Sequence, residues 1–173
     1  VIETRVFRGS IDDALATRII EFDRENMMGT LDQAGIAFPK ENRYKSFQSN
    51  PTLIVAFEDD DIAGYIEYLR SWNDSRYIYI GSFQIRKESR RTRLILQLIE
   101  KFIESVSTED FLGFETNVQK GNMPAVEMYR KLGFQLKENP RNEGSWTATA
   151  GPELLSQSPI IPIIDKWRRR SKR

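Results

Sequence analysis

The sequence predicts a mixed α/β (α+β) fold, a mostly antiparallel twisted sheet flanked by helices. Three observations carry this expectation. Extended apolar segments cluster ahead of residue 86, and beyond it they alternate with helical segments. Leu94, Leu98 and Phe102 run beside Ile95, Ile99 and Ile103, two i, i+4 stripes that make one broad buried helix face. The strand–helix–strand unit from Arg76 to Val118 requires a right-handed crossover or its splayed variant.

Taken in order, Glu3 to Arg8 alternates and reads as the first strand. Ser10, with Asp13 three residues on, reads as a capping box for a helix whose apolar face is Ile11, Leu15, Ile19 and Phe22. Residues 26–49 hold Gly29, Gly35 and Pro39 and are expected to form a loop and a short second helix. Pro51 opens a strand over Thr52 to Phe57. The acidic run Glu58 to Asp61 turns the chain into a partner strand, Ile62 to Leu69. Consecutive carboxylates at such a turn read as a solvated tip, and no matching cluster of metal ligands accompanies them.

Ser71 to Ser75 is a second turn. Arg76 to Ile85 is a long strand, and Gly81 within it suggests a bulge or a close backbone approach. The basic segment Arg86 to Arg93 leads into the long helix, and Phe111 to Val118 is the next strand. Gly121 to Phe134 is a short helix with marked ends. Asn122 suits the N-cap, Pro124 the first turn and Gly133 a left-handed C-cap. Ala125, Met128, Tyr129 and Leu132 share its apolar face. Phe134 to Leu136 and Ser145 to Ala150 supply the last two strands.

Composition narrows the chemistry. The 173 residues suit one domain, and 39% hydrophobic with 29% charged content is that of a soluble globular chain. A net charge of +1 gives no global field toward nucleic acid or membrane. Without cysteine there is no disulfide, thiolate nucleophile or Cys-ligated metal, which fits a cytoplasmic setting. Without histidine, proton transfer falls to carboxylates, Tyr, Lys, backbone or water. No apolar run approaches the roughly 18 residues of a membrane-spanning helix, and no signal peptide is expected.

The spacing Asn-x-x-Ala-x-x-x-Tyr-x-x-x-Gly-Phe, from Asn122 through Ala125 and Tyr129 to Gly133 and Phe134, resembles the last motif of the GNAT N-acetyltransferase superfamily. The order of elements over residues 3 to 150 is similar to that fold. The resemblance implies a domain over residues 1–150, with residues 151–173 as a C-terminal extension. It also implies acyl transfer from acetyl-coenzyme A to an amine, by direct attack in a ternary complex and with no metal.

In that family the central strand ends in a loop of the form Arg/Gln-x-x-Gly-x-Gly/Ala that opens the next helix. Unpaired N–H groups and the helix dipole there face the pyrophosphate of coenzyme A. The matching positions here are Arg90, Arg91, Thr92, Arg93, Leu94 and Ile95, with Arg93 and Ile95 where small residues are expected. One reading keeps the backbone cradle and turns the guanidinium groups of Arg90, Arg91 and Arg93 toward the phosphates. The other makes the arginines a solvated or nucleic-acid-facing patch, with Ile95 filling the space of the pantetheine.

The resemblance assigns further roles. Tyr129 matches the general acid that protonates the leaving thiolate. Asn122 and Asn117 match positions that bond the cofactor, and the backbone near Phe83 and Ile85 would serve the thioester oxygen and the pantetheine arm. Glu67 ranks first as general base and Glu115 second. The acceptor is an amine-bearing small molecule, a protein N-terminus or a lysine, in a pocket lined by residues 22–50 and 137–148, where Phe22, Phe38, Tyr44 and Phe47 are aromatic. A domain of this fold that has lost catalysis and binds or regulates is the alternative; a nucleic-acid partner lacks a recognised motif. Beyond Gly151 and Pro152, the isoleucine pairs around Pro162 read as extended and apolar, suited to packing on the domain or on a second subunit as a homodimer. The basic end, through Arg173, reads as a solvated terminus.

Overall fold

A computed structural model describes all residues except Ser10, Ile36, Arg91, Lys172 and Arg173, and except the side chains of residues 28–34, Thr92 and Ser171. Seven strands form one sheet in the order β1-β2-β3-β4-β5-β7-β6. They are β1 (Ile2–Phe7), β2 (Thr52–Glu58), β3 (Asp61–Arg70), β4 (Tyr77–Ile85), β5 (Gly113–Gln119), β6 (Gln135–Glu138) and β7 (Ser145–Ala150). The helices are α1 (Asp13–Ala34), α2 (Lys40–Phe47), α3 (Thr92–Val106), α4 (Met123–Leu132), α5 (Leu154–Gln157) and α6 (Ile161–Ser171). The β1/β2, β2/β3, β5/β7 and β6/β7 pairs are antiparallel and β4/β5 is parallel. This is the mixed α/β class that the sequence predicts.

The chain divides into two compact units. The first comprises Val1–Leu69 and Ser82–Ser105, the second Arg70–Gly81 and Val106–Arg173.

In the first unit the sheet is buried on both faces, because β3 is apolar or aromatic at almost every position from Ile62 to Tyr68. One face meets α1 and α2, where Leu15, Ile19, Phe22 and Phe47 pack with Leu53, Val55 and Tyr65. On the other, Tyr68 meets Phe102 of α3 edge to face at 5.4 Å, and its hydroxyl lies 2.6 Å from Ser105 Oγ. Asp59 and Asp60 both adopt positive φ, so the acidic turn is a two-residue primed hairpin, a conformation that Asp tolerates. A bulge interrupts β2 between Ala56 and Phe57.

Two expectations about this unit change. The Ser10 cap lies outside the described residues, and Asp12 Oδ1 accepts the Leu15 N–H at 2.7 Å instead. Helix α1 runs on through Gly29 to Ala34, where a loop was expected. One glycine costs a helix only about 1 kcal/mol. That is too little to end a helix anchored by buried Leu15, Ile19, Ile20 and Phe22.

In the second unit β5 pairs with β7 and with the start of β4, β6 pairs with β7, and α4 packs against β5 and β6. Phe114, Val118, Val126, Tyr129, Phe134 and Ala148 are its buried centre. The C-terminal segment, expected to be extended, forms α5 and α6. Pro162 is the second residue of α6, where a missing N–H breaks no helical bond. Ile164 is buried, and Ser158 Oγ donates to Leu132 O at 2.7 Å, which ties this segment to the end of α4. Lys172 and Arg173 of the basic end lie outside the described residues.

Candidate active site

In the second unit, α4 has the caps its sequence prescribes. Asn122 Oδ1 accepts the Ala125 N–H at 3.3 Å, and Pro124 stands in the first turn. Gly133 closes the helix at φ 104°, its N–H bonding Arg130 O while Phe134 N–H bonds Tyr129 O, both at 3.0 Å. This cap folds Phe134 back so that its ring meets Tyr129 edge to face at 5.1 Å. The Tyr129 ring is thereby fixed, and only 6% of the residue is exposed. Burial pushes its phenol up to about 12; the neighbouring Thr116 hydroxyl pulls the other way and the Tyr79 phenol adds a small upward push. A phenol so held is a proton donor at neutral pH.

Thr116, on β5, donates from Oγ1 to Ile80 O at 2.7 Å. The described β4/β5 pairing ends at Tyr79 and Glu115, so this side chain takes the next β4 carbonyl. Asn117 is exposed and faces Thr147 on β7, whose Oγ1 lies 3.5 Å from Asn117 Oδ1. Glu115 is half-buried and accepts a hydrogen bond from Ser71 Oγ.

In the first unit, β4 ends at Ile85 and a 3₁₀ turn, Lys87–Ser89, leads to α3. Ser89 is buried and donates to Glu58 Oε2 at 3.3 Å. Arg90 and Arg93 are exposed, Leu94 is fully buried in the core and Ile95 is half-buried. Phe83 and Ile85 are half-buried on β4. Arg91 and the Thr92 side chain lie outside the described residues. No acidic residue stands in the first turn of α3. Exposed guanidinium groups at the start of a helix whose first turn carries no carboxylate fit a polyphosphate ligand.

Glu67 has a different setting from the one its sequence position suggests. It is 5% exposed, and its Oε2 accepts from Arg43 Nη2 at 2.6 Å. Arg43 Nε also donates to Asp23 Oδ2 at 2.8 Å, and Tyr65 OH donates to Asp23 Oδ1 at 2.5 Å. Arg43 Nη1 reaches Ser46 Oγ, and the guanidinium lies 4.5 Å from the Phe47 ring centre. Burial pushes the Asp23 carboxyl up, opposed by Arg43 and by the Tyr65 hydrogen bond. Sequence reasoning missed this network. Its signals were Asp23 four residues after Ile19 on an apolar helix face, and Tyr65 and Glu67 alternating onto one face of β3.

Beside the network, Phe22, Glu25, Asn26, Arg86, Lys87 and Glu88 line a cavity of about 140 Å³. Asn26, one of these residues, donates from Nδ2 to Gln84 Oε1 at 2.8 Å. Of the aromatic residues expected around an acceptor, Phe22 lines this cavity, Phe47 belongs to the α1/α2 core, Phe38 packs on it, and Tyr44 is exposed with its hydroxyl 3.2 Å from Thr17 Oγ1.

The family model for the acetyltransferase (GNAT) family matches residues 19–134, more than half of the chain. The chain belongs to the acetyltransferase (GNAT) family. Solved GNAT-like structures share its fold. The PaiA N-acetyltransferase of Thermoplasma acidophilum, in complex with coenzyme A, aligns with TM-score 0.67 at 17% identity, over 87% of this chain and 99% of that one. The diaminobutyrate acetyltransferase EctA of Paenibacillus lautus, with its substrate and coenzyme A, aligns with TM-score 0.61 at 18% identity, over 88% and 96%. A GNAT acetyltransferase of Staphylococcus aureus Mu50 aligns with TM-score 0.67 at 14% identity, over 86% and 99%. No curated protein matches the sequence. Among the described residues, no helix of this GNAT chain is long and apolar enough to cross a membrane.

Proposed function

We propose that the chain is an N-acetyltransferase that moves an acetyl group from acetyl-coenzyme A to an amine by direct attack within a ternary complex. The observation that carries this reading is Tyr129, a buried, protonated phenol held by a doubly capped helix in a GNAT family member. Coenzyme A in the two neighbours named above supports the choice of donor. When bound, acetyl-coenzyme A supplies an activated thioester.

The remaining work falls to this chain. Arg90, Arg93 and the N–H groups at the start of α3, from Thr92 through Leu94 and Ile95, would hold the phosphates, with Arg91 in the same loop. The β4 backbone at Phe83 and Ile85 would orient the acyl arm, and Asn117 and Asn122 would bond the carrier. Tyr129 would give its proton to the departing sulfur. Glu67 would accept the amine proton through a water, because Arg43 already engages one of its oxygens. The acceptor is an amine-bearing small molecule or a protein amine, and the diaminobutyrate of one neighbour supports the small-molecule class.

The test is calorimetric titration with coenzyme A, followed by thiol release from acetyl-coenzyme A across a panel of diamines, amino acids and peptides. Binding that weakens about 5- to 30-fold in Arg90→Ala or Arg93→Ala is expected, as for loss of a charge-assisted hydrogen bond. An absence of coenzyme A binding rejects the reading. Arg93 and Ile95, at positions where the family has small residues, favour a second one: a GNAT-fold binding module without turnover. Coenzyme A binding with no thiol release for any amine would select it.

A further inference from the structure

The cavity of the first unit is lined by Phe22, Glu25 and Asn26 of α1 and by Arg86, Lys87 and Glu88 just after β4. Phe22 is buried, Asn26 and Arg86 are half-buried, and Glu25, Lys87 and Glu88 are exposed at the rim. Two carboxylates thus share one small space with two cations. Among the described residues, none of these four side chains forms an ion pair or a hydrogen bond with another. Arg86 is held by other means: its backbone N–H bonds Ala63 O at 2.9 Å, and its guanidinium lies 5.9 Å from the Phe22 ring centre. The guanidinium donors meet no protein acceptor among the described residues. Asn26 gives one N–H to Gln84 Oε1, and its own Oδ1 accepts from no described protein donor.

We propose that this cavity takes the acceptor as a free amino acid, with Arg86 gripping its carboxylate and Asn26 Oδ1 and Glu25 facing its ammonium. The charges select for a molecule that carries both signs. A plain diamine would bring two positive charges against Arg86 and Lys87, and a dicarboxylate would meet Glu25 and Glu88. The planar fork of a guanidinium matches a carboxylate with two parallel N–H···O bonds. Size points the same way. The cavity, about 140 Å³, is close to the engineered cavity of about 150 Å³ that takes benzene, so its occupant has on the order of six to nine non-hydrogen atoms. A small amino acid has that size.

Rim charges in water contribute little, so discrimination falls to the half-buried Arg86. A carboxylate bonded to it should favour an amino acid over its decarboxylated amine by about 10- to 100-fold. The transfer step balances as for any amine. The ammonium loses one proton to solvent before its nitrogen bonds the acetyl carbon. The carbon–sulfur bond breaks, sulfur takes the Tyr129 proton, and the second proton of the nitrogen restores the phenol through water.

The kinetic half of the inference rests on the acetyltransferase reading; the binding half does not. Thiol release from acetyl-coenzyme A is measured for pairs that differ only in the carboxylate: alanine and ethylamine, ornithine and putrescine, lysine and cadaverine. In the pair turned over best, kcat/KM should be about 10- to 100-fold higher for the amino acid, and Arg86→Met should cut that ratio to about threefold or less, through KM. Equal values within that pair, or a ratio that survives Arg86→Met, overturn the proposal. So does a loss of coenzyme A affinity in Arg86→Met with the ratio intact, which would give the guanidinium to the phosphates of the donor. Binding is read separately from the side-chain amide signals of Asn26 and Gln84 by heteronuclear NMR, with and without coenzyme A, in a spectrum that also reports whether Arg86→Met is folded. Alanine or ornithine should shift them more than the matched amine does, and Arg86→Met should abolish the difference. Should no thiol be released from any pair, the acetyltransferase reading falls and this titration still decides the cavity: no shift with any of the three amino acids overturns the proposal.

Discussion

Arg43 on α2 donates to Glu67 on β3 at 2.6 Å. Through the same guanidinium it holds Asp23 on α1, so one cation joins two helices to the sheet around two buried carboxylates. Removing one partner from a buried pair strands the other charge, and the loss is about 3–5 kcal/mol. Arg43→Ala should therefore lower the unfolding free energy in urea by several kcal/mol, and a change under about 1 kcal/mol would show that the network carries no stability. Glu67→Gln keeps the shape and removes one charge. It separates the two roles of Glu67: a fall in kcat larger than the fall in stability explains marks it as the base, whereas a stability loss with normal kcat marks it as a structural anchor.

Asp23 gives the network a pH dependence. Burial raises its carboxyl in the folded state, so the native protein binds that proton more tightly than the unfolded chain does. The stability it contributes is present in full below the ordinary carboxylate value of about 3.9 and is lost as pH rises through the higher native value. Compared with Asp23→Asn, the wild type should grow relatively less stable as pH is raised from 4 to 7. Parallel urea titrations of the two proteins across that range check it, and a constant difference would mean that Asp23 titrates alike in both states.

The capped helix around Tyr129 was legible because its information is local. Asn122, Pro124 and Gly133 each state a backbone conformation, and the structure realises all three. The hairpin at Glu58 to Asp61 was legible for the same reason. The network around Arg43 was not, because it depends on which residues of α1, α2 and β3 meet, and a single charged side chain in a helix says little about that. Thr116 was hidden twice over: a threonine in a strand is ordinary, and its partner is a backbone carbonyl. The helix over the isoleucine–proline tail was missed because the isoleucine pairs around Pro162 were read as extended, although a proline in a first turn breaks no helical bond.

Gly64 is one of the few glycines whose identity the packing fixes. A Cβ there would lie 2.8 Å from the Gln84 carbonyl oxygen and 3.3 Å from both the Ile85 and Leu98 side chains. The carbonyl belongs to β4 and cannot swing aside without disturbing the strand. Gly64→Ala should destabilise the protein by about 1–3 kcal/mol, the usual range for overpacking. It should also weaken coenzyme A binding, if the β4 backbone near Ile85 is part of that site. Denaturation with ligand titration on the same variant tests both, and a wild-type midpoint would mean that β3 and β4 can part without loss.

Tyr129→Phe isolates the proton. The phenyl ring keeps the edge-to-face contact with Phe134 and the buried position on α4. Only the hydroxyl is lost, so stability should change by about 1 kcal/mol or less. Coenzyme A affinity should be unchanged, since no phosphate contact is touched. A positioned acid contributes typically 10²–10⁴-fold, so kcat should fall by about 10²-fold or more if Tyr129 protonates the leaving sulfur. The fall should shrink with a donor whose thiol is more acidic, because such a leaving group needs the acid less. Equal turnover by the two proteins would remove Tyr129 from the chemistry and leave it as a packing residue beneath Phe134.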